Sequence, residues 1–108
     1  MVKAAIICPN DTVRTQLQES LSDLADFSII RAYPSYPTAL ELRHFIRAQE
    51  PDVLFVGLEN LAKALLIVND AVSDFPGLPI VAVNDKFDQD SLLRMMRAGA
   101  RDSGNSSR

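Results

Sequence analysis

Short unbroken apolar runs alternate along this chain with longer stretches in which apolar residues recur every third or fourth position. Pro51-Asp-Val-Leu-Phe-Val-Gly57 is the clearest of the runs, with Pro-Asp at its entry, glycine at its exit and no polar alternation between. A segment this short that is apolar toward both faces predicts the central strand of a parallel sheet covered by helices on both sides. Val2 to Cys8, stopped by Pro9-Asn10, then Phe27 to Tyr33 and Ile80 to Val83, predict the other strands.

Between the runs the period becomes helical. Val13, Leu17, Leu21 and Leu24 form an i, i+4, i+8, i+11 stripe, with Arg14, Gln18, Glu19 and Ser22 turned outward and Asn10 or Asp11 as the cap. Pro34-Ser-Tyr-Pro37 predicts a turn, after which Thr38 caps a second helix. Its core face is Leu42, Phe45 and Ile46, and its outer side holds Leu40, Arg43, His44 and Arg47. A third helix is expected from about Asn60 to Asp74, with Leu61, Leu65, Val68 and Val72 facing the core. Leu66 and Ile67 flank that stripe, so the apolar arc is broader than usual. Pro76-Gly-Leu-Pro79 ends this helix. Asp88 is placed to cap a fourth, with Leu92, Met95 and Met96 inward, Arg94, Arg97 and Arg101 outward, and Ala98-Gly99-Ala100 closing it. Ser-Gly-Asn-Ser-Ser-Arg, residues 103–108, carries no strand or helix signal and reads as a disordered polar tail.

Strand and helix in strict alternation predict an α/β, doubly wound parallel sheet with right-handed crossovers. Functional groups in such sheets lie just beyond the carboxyl ends of the strands. That rule directs attention to Cys8-Pro9-Asn10, Gly57-Leu58-Glu59 and Asn84-Asp85.

With 108 residues the chain suffices for one core. Its net charge of −3 argues against nucleic acid, which needs a basic surface. The longest apolar stretch, Leu61 to Val68, is interrupted by Lys63 and too short to span a bilayer, so no membrane insertion is expected. The lone Cys8 excludes an internal disulfide and suits a reducing, cytoplasmic setting. Cys8 is expected as a buried structural thiol and His44 as a solvated surface histidine. Asn10 and Asp11 read as helix caps, and Glu59 and Asp85 as solvated loop residues, with a weak cation or ligand site as the sharper alternative. No glycine-rich phosphate loop, metal-ligand cluster or nucleophile–base pair occurs, so neither an enzyme nor a cofactor is expected.

Several local phrases come in a telling order: Val13-Arg14, Pro51-Asp52-Val53, Leu78-Pro79-Ile80-Val81, and Arg97-Ala98-Gly99-Ala100-Arg101-Asp102. Together they resemble the receiver domain of bacterial two-component response regulators, over residues 1–102. The resemblance implies a flavodoxin-like, three-layer sheet of strand order 2-1-3-4(-5), with this chain stopping before the fifth strand and helix. It also implies a chemistry that can be checked by position. Where receivers carry a magnesium-binding acidic pair, this chain has Cys8 and Pro9. Gly57 stands at the phosphoacceptor position and Asn84 at the place of the sensing hydroxyl. The lysine and aromatic of the fifth strand would fall near Ser106 and Ser103.

A thiol and a proline cannot replace oxygen ligands on magnesium, and glycine has no nucleophile. The resemblance therefore implies a degenerate receiver (a pseudo-receiver) with no metal and a vestigial pocket at Cys8, Pro9, Asn10, Gly57 and Asn84. Such a domain is expected to work without phosphorylation, by binding a protein partner or by self-association as a dimer. The N-terminal modules of pilus-assembly ATPases of the CpaE/TadZ type are similar. An exposed edge at the fourth strand favours self-association. Leu66, Ile67, Leu93, Arg94, Arg97 and Arg101 are the candidate contact residues. Two alternatives stay open: a small-ligand (nucleotide) site at the strand ends, and phosphate switching at a displaced acidic residue, Asp11, Asp85 or Glu59.

Overall fold

The computed structural model describes residues 1–24 and 26–84. The expected fourth helix with Leu92, Leu93, Met95, Met96, Arg94, Arg97 and Arg101, together with Asp85 and the tail after Asp102, lies outside the described residues. In order, the elements are β1 (Val2–Ile7), α1 (Asp11–Ser22), β2 (Phe27–Tyr33), α2 (Ala39–Gln49), β3 (Val53–Gly57), α3 (Leu61–Asp74) and β4 (Ile80–Val83). The strands described form one parallel sheet in the order β2-β1-β3-β4, the flavodoxin-like α/β arrangement that the receiver resemblance implies.

Every residue of β3 is buried, because the strand runs between two neighbours and is covered on both faces. Val53 and Phe55 point into a core built with Val13, Leu17 and Leu21 of α1. Leu54 and Val56 point the other way, into a core shared with Leu42 and Ile46 of α2 and Ala64, Ile67 and Ala71 of α3. Among the described residues, one helix on one face and two on the other make three layers. Each fully buried large side chain contributes roughly 1.5–3 kcal/mol, so this unbroken strand is the fold's anchor.

Local sequence sets the helix starts. Asn10 Oδ1 accepts the Val13 amide, Thr38 and Glu41 form a reciprocal capping box, and Asn60 accepts the Lys63 amide. At the opposite, amino end of the sheet, Asp52 joins two strands. Its carboxylate accepts the Lys3 amide at 2.8 Å and its own amide donates to the Lys3 carbonyl at 2.7 Å, which ties β1 to the entry of β3.

The third helix corrects the sequence reading. Ala64, Ile67 and Ala71 face the sheet, whereas Leu61, Leu65 and Val72, expected in the core, are exposed. Ile67, expected on the flank as a contact residue, is 4% exposed and belongs to the core. Two alanines at i and i+7 let the helix axis come close to β3, with Ile67 between them filling the gap. A helix apolar over most of its circumference leaves the choice of buried face to this fit, and the larger side chains are left outside.

Candidate functional site

The register of the strands brings three chain segments together at the carboxyl end of the sheet. Ile7 pairs with Tyr33 and Val56, and Gly57 pairs with Val83. The next residues continue the alignment: the Cys8 amide donates to the Tyr33 carbonyl at 3.1 Å, and the Leu58 amide to the Val83 carbonyl at 3.0 Å. Cys8, Gly57 and Asn84 are therefore neighbours at one edge. Asn10, Leu58, Glu59 and Asn84 line a shallow hollow of about 220 Å³ above them.

Cys8 is fully buried at the floor of this edge. Its Sγ lies 3.6 Å from the Asn10 carbonyl and 3.7 Å from Glu59 Oε2, so the thiol donates toward both oxygens. Burial first, and the Glu59 charge second, push its pKa up to about 11, while the Asn10 hydrogen bond and Arg14 act in the opposite sense. The thiol is held protonated, the reverse of what a nucleophilic cysteine needs.

The space that a side chain on Gly57 would enter is already taken, chiefly by the movable end of the Glu59 side chain. An added Cβ would meet Glu59 Oε1 at 2.5 Å, Cys8 Sγ at 3.1 Å and Cys8 Cα at 3.3 Å. The carboxylate of a residue two positions on thus lies where a side chain on residue 57 would begin. Glu59 as a residue is exposed, yet its tip folds back over the strand end.

Two side chains fix this arrangement that sequence pattern did not single out. Tyr36 sits between the prolines of the β2–α2 turn; its hydroxyl donates to the Gly57 carbonyl at 2.7 Å and accepts the Asn60 amide at 3.1 Å. Burial raises the Tyr36 pKa, with a smaller upward push from Glu59 and Cys8, so the hydroxyl keeps its proton. Arg14, expected to point outward, turns back to the sheet instead. Its Nη1 donates to the Cys8 carbonyl at 2.9 Å and its Nη2 to Asp11 Oδ1 at 2.5 Å, with only 18% of the side chain exposed. The free carbonyl after β1 is a strong local acceptor, and an arginine within the first turn of α1 is long enough to reach it.

Of the other candidates, Asn10 lines the hollow beside Glu59, Asp11 stays outside it, and Asp85 lies outside the described residues. Asn10 is spent on the cap of α1, and Asp11 faces solvent beside Arg14. His44 is exposed on α2. Among the described residues no group of three or more His, Cys, Asp or Glu side chains is placed to hold a metal ion. At the place of the acidic pair, Cys8 and Pro9 supply a protonated thiol and a ring, neither of them a magnesium ligand.

A second surface stands out on the helical layer. Leu61, Leu65 and Val72 form an exposed stripe along α3; Leu66, 64% exposed, stands apart on its other side, and Leu40 on α2 is also exposed. Among the described residues no helix is long and apolar enough to cross a membrane.

No protein-family model matches the chain, and no curated protein matches it. Solved structures do. The chain is similar to a CheY-like protein, TadZ, from Pseudomonas aeruginosa PAO1, with 28% identity, a TM-score of 0.67, and coverage of 94% of this chain and 78% of that one. It is also similar to a response regulator from Thermotoga maritima, with 18% identity, a TM-score of 0.63, and coverage of 93% and 80%. The RcsB response regulator of Salmonella typhimurium, described for its conformational dynamism in DNA interaction, matches at 12% identity with a TM-score of 0.71. That alignment covers 91% of this chain, which spans 58% of the RcsB chain. The fold is that of response regulator receiver domains.

Proposed function

We propose that this chain is a degenerate receiver domain that works by protein–protein contact, as a dimerisation or docking module, without phosphorylation. One observation carries the reading: at the carboxyl end of the sheet, residue 57 is a glycine packed under the Glu59 carboxylate and beside a protonated thiol. A phosphoryl group needs a nucleophile to receive it and oxygen ligands to hold its metal, and neither is supplied at Gly57, Cys8 and Pro9. The domain comprises residues 1–102 in this reading, has no catalytic activity or cofactor, and acts in the cytoplasm.

The exposed apolar residues of α3 and α2 support a contact role. Apolar side chains grouped on one surface mark binding faces more often than isolated ones do. Leu61, Leu65, Leu66 and Val72 are the contacts proposed within the described residues, with Leu93, Arg94, Arg97 and Arg101 as further members; Ile67, buried in the core, is not one of them. The likeness to TadZ supports a place in pilus assembly or its localisation.

The test is chemical and hydrodynamic. Incubation with acetyl phosphate and magnesium is expected to leave the intact mass unchanged, and sedimentation to show a species that grows with protein concentration. A phosphoryl adduct on Asp11, Asp85 or Glu59 would replace this reading with that of a receiver switched at a displaced acceptor.

A further inference from the structure

We propose that Glu59 is an internal plug: its carboxylate occupies the space at the end of β3 that a side chain on residue 57 would take, and closes the sheet edge over Cys8. The inference deepens the reading above and rests on it, since a domain that receives no phosphoryl group can keep its site permanently filled.

Three observations converge on the plug. The first is steric: Glu59 Oε1 lies 2.5 Å from the position of a Cβ on Gly57, so a side chain at 57 would require the carboxylate to swing away. The second is a hydrogen bond: Glu59 Oε2 faces the Cys8 thiol at 3.7 Å, so the carboxylate has a buried donor to rest on. The third is the loop that carries it. Tyr36 bridges the Gly57 carbonyl and the Asn60 amide, which lie on either side of Leu58 and Glu59, and Asn60 caps α3. Both ends of the short β3–α3 connection are thereby pinned, and the side chain between them is aimed back over the strand.

The plug has two consequences. A negative charge already sits at the sheet end, so a second anion such as a phosphoryl group or its fluoride mimic meets repulsion as well as a filled space. The loop is also held in one conformation by contacts within the chain, so the surface formed by the start of α3 is fixed without a ligand. Gly57 and Glu59 thus form a complementary pair, in which the missing side chain of one makes room for the other.

Cys8 is the chain's single cysteine, which makes its alkylation a direct reporter of the plug. The full chain, as wild type and as Glu59→Ala, is treated with iodoacetamide at neutral pH and followed by intact mass, with amide exchange of β1 and β3 measured in parallel. Removal of the carboxylate uncovers the thiol and lifts one of the causes of its raised pKa, and each unit of pKa is worth a tenfold change in thiolate. Alkylation about tenfold faster in Glu59→Ala, with exchange of the strand cores unchanged, is the expected result. Glu59→Gln, which keeps the bulk and loses the charge, falls between the two. Equal rates in wild type and Glu59→Ala, or a rise that merely follows core exchange, would overturn the plug. The parent reading is tested separately by adding magnesium and beryllofluoride to the same wild-type sample. Protection of Cys8 or shifts at the strand ends would overturn that reading, whereas an unchanged thiol rate without any such response removes only the plug.

Discussion

The hydroxyl of Tyr36 donates to the carbonyl of Gly57 at 2.7 Å, across a gap of 21 residues in sequence. The same oxygen accepts the Asn60 amide, so one phenol from the β2–α2 turn satisfies two backbone groups on either side of the loop after β3. A loop that would otherwise depend on water at its base is thereby joined to the neighbouring turn.

Tyr36→Phe removes both bonds and leaves the ring packing in place. The expected cost is about 1–2 kcal/mol, because Gly57 loses a partner at a buried position while the Asn60 amide can turn to solvent. Urea unfolding with an unchanged slope and a lowered midpoint is the signature. A midpoint equal to that of the wild type would mean that the bridge does not hold the loop.

Cys8 links stability to alkaline pH. In the unfolded chain the thiol ionises at its ordinary value of 9.0, and in the fold only at about 11. The raised pKa belongs to an acid kept neutral by burial, so its stabilising contribution is whole below pH 9 and is lost as pH rises toward 11. The total is on the order of 2–3 kcal/mol. Tyr33 and Tyr36 are raised too, from 10.0, and add a loss of the same sign at higher pH, so the early part of the decline, just above pH 9, reports Cys8. Cys8→Ala should lack that early decline in chemical denaturation measured across the range; an identical slope in the variant would rule out the thiol as its source.

Much of this fold was legible in the chain and the candidate site was less so, for physical reasons that particular residues show. Pro51 to Gly57 announced a central strand because burial on both faces forces an unbroken apolar run, and Thr38 announced a helix start because its capping box is a local interaction. The buried face of α3 was not legible. Apolar residues surround that helix, and what selected Ala64, Ile67 and Ala71 over Leu61, Leu65 and Val72 was the distance to β3, a tertiary quantity. Arg14 and Tyr36 were missed at the site for a related reason. Each is placed by a backbone carbonyl, of Cys8 and Gly57 respectively, and carbonyls leave no mark on residue identity. Glu59 was noticed, but the turn of the loop that brings its tip back over Gly57 could not be read from a separation of two residues.

The exposed leucines of α3 carry a prediction about association. Leu65→Glu replaces a half-exposed apolar side chain with a good helix former that has a charge, so the fold should change by less than about 0.5 kcal/mol. Self-association, read by sedimentation equilibrium, should weaken at least tenfold. That corresponds to about 1.4 kcal/mol for removing one apolar side chain from the interface and burying a charge in its place. Unaltered association would move the contact surface away from this helix.

Glu50 closes α2 in the left-handed conformation, with φ of 50° and ψ of 59°, while its amide donates to the Ile46 carbonyl at 2.8 Å. A side chain there costs energy that glycine avoids, and glycine keeps the amide. Glu50→Gly is expected to raise stability by about 1 kcal/mol in thermal unfolding. A lower melting temperature would show that the Glu50 side chain has a stabilising role of its own.

Closure of the carboxyl end of the sheet to phosphoryl chemistry is tested most directly by an amide NMR titration of the full chain with magnesium and beryllofluoride. The prediction is that amides of Cys8, Gly57, Leu58, Glu59 and Asn84 hold their positions throughout, both with magnesium alone and after beryllofluoride is added. Saturable shifts confined to those amides would contradict it, and would mean that the edge closed by Glu59 opens to an acyl-phosphate mimic after all.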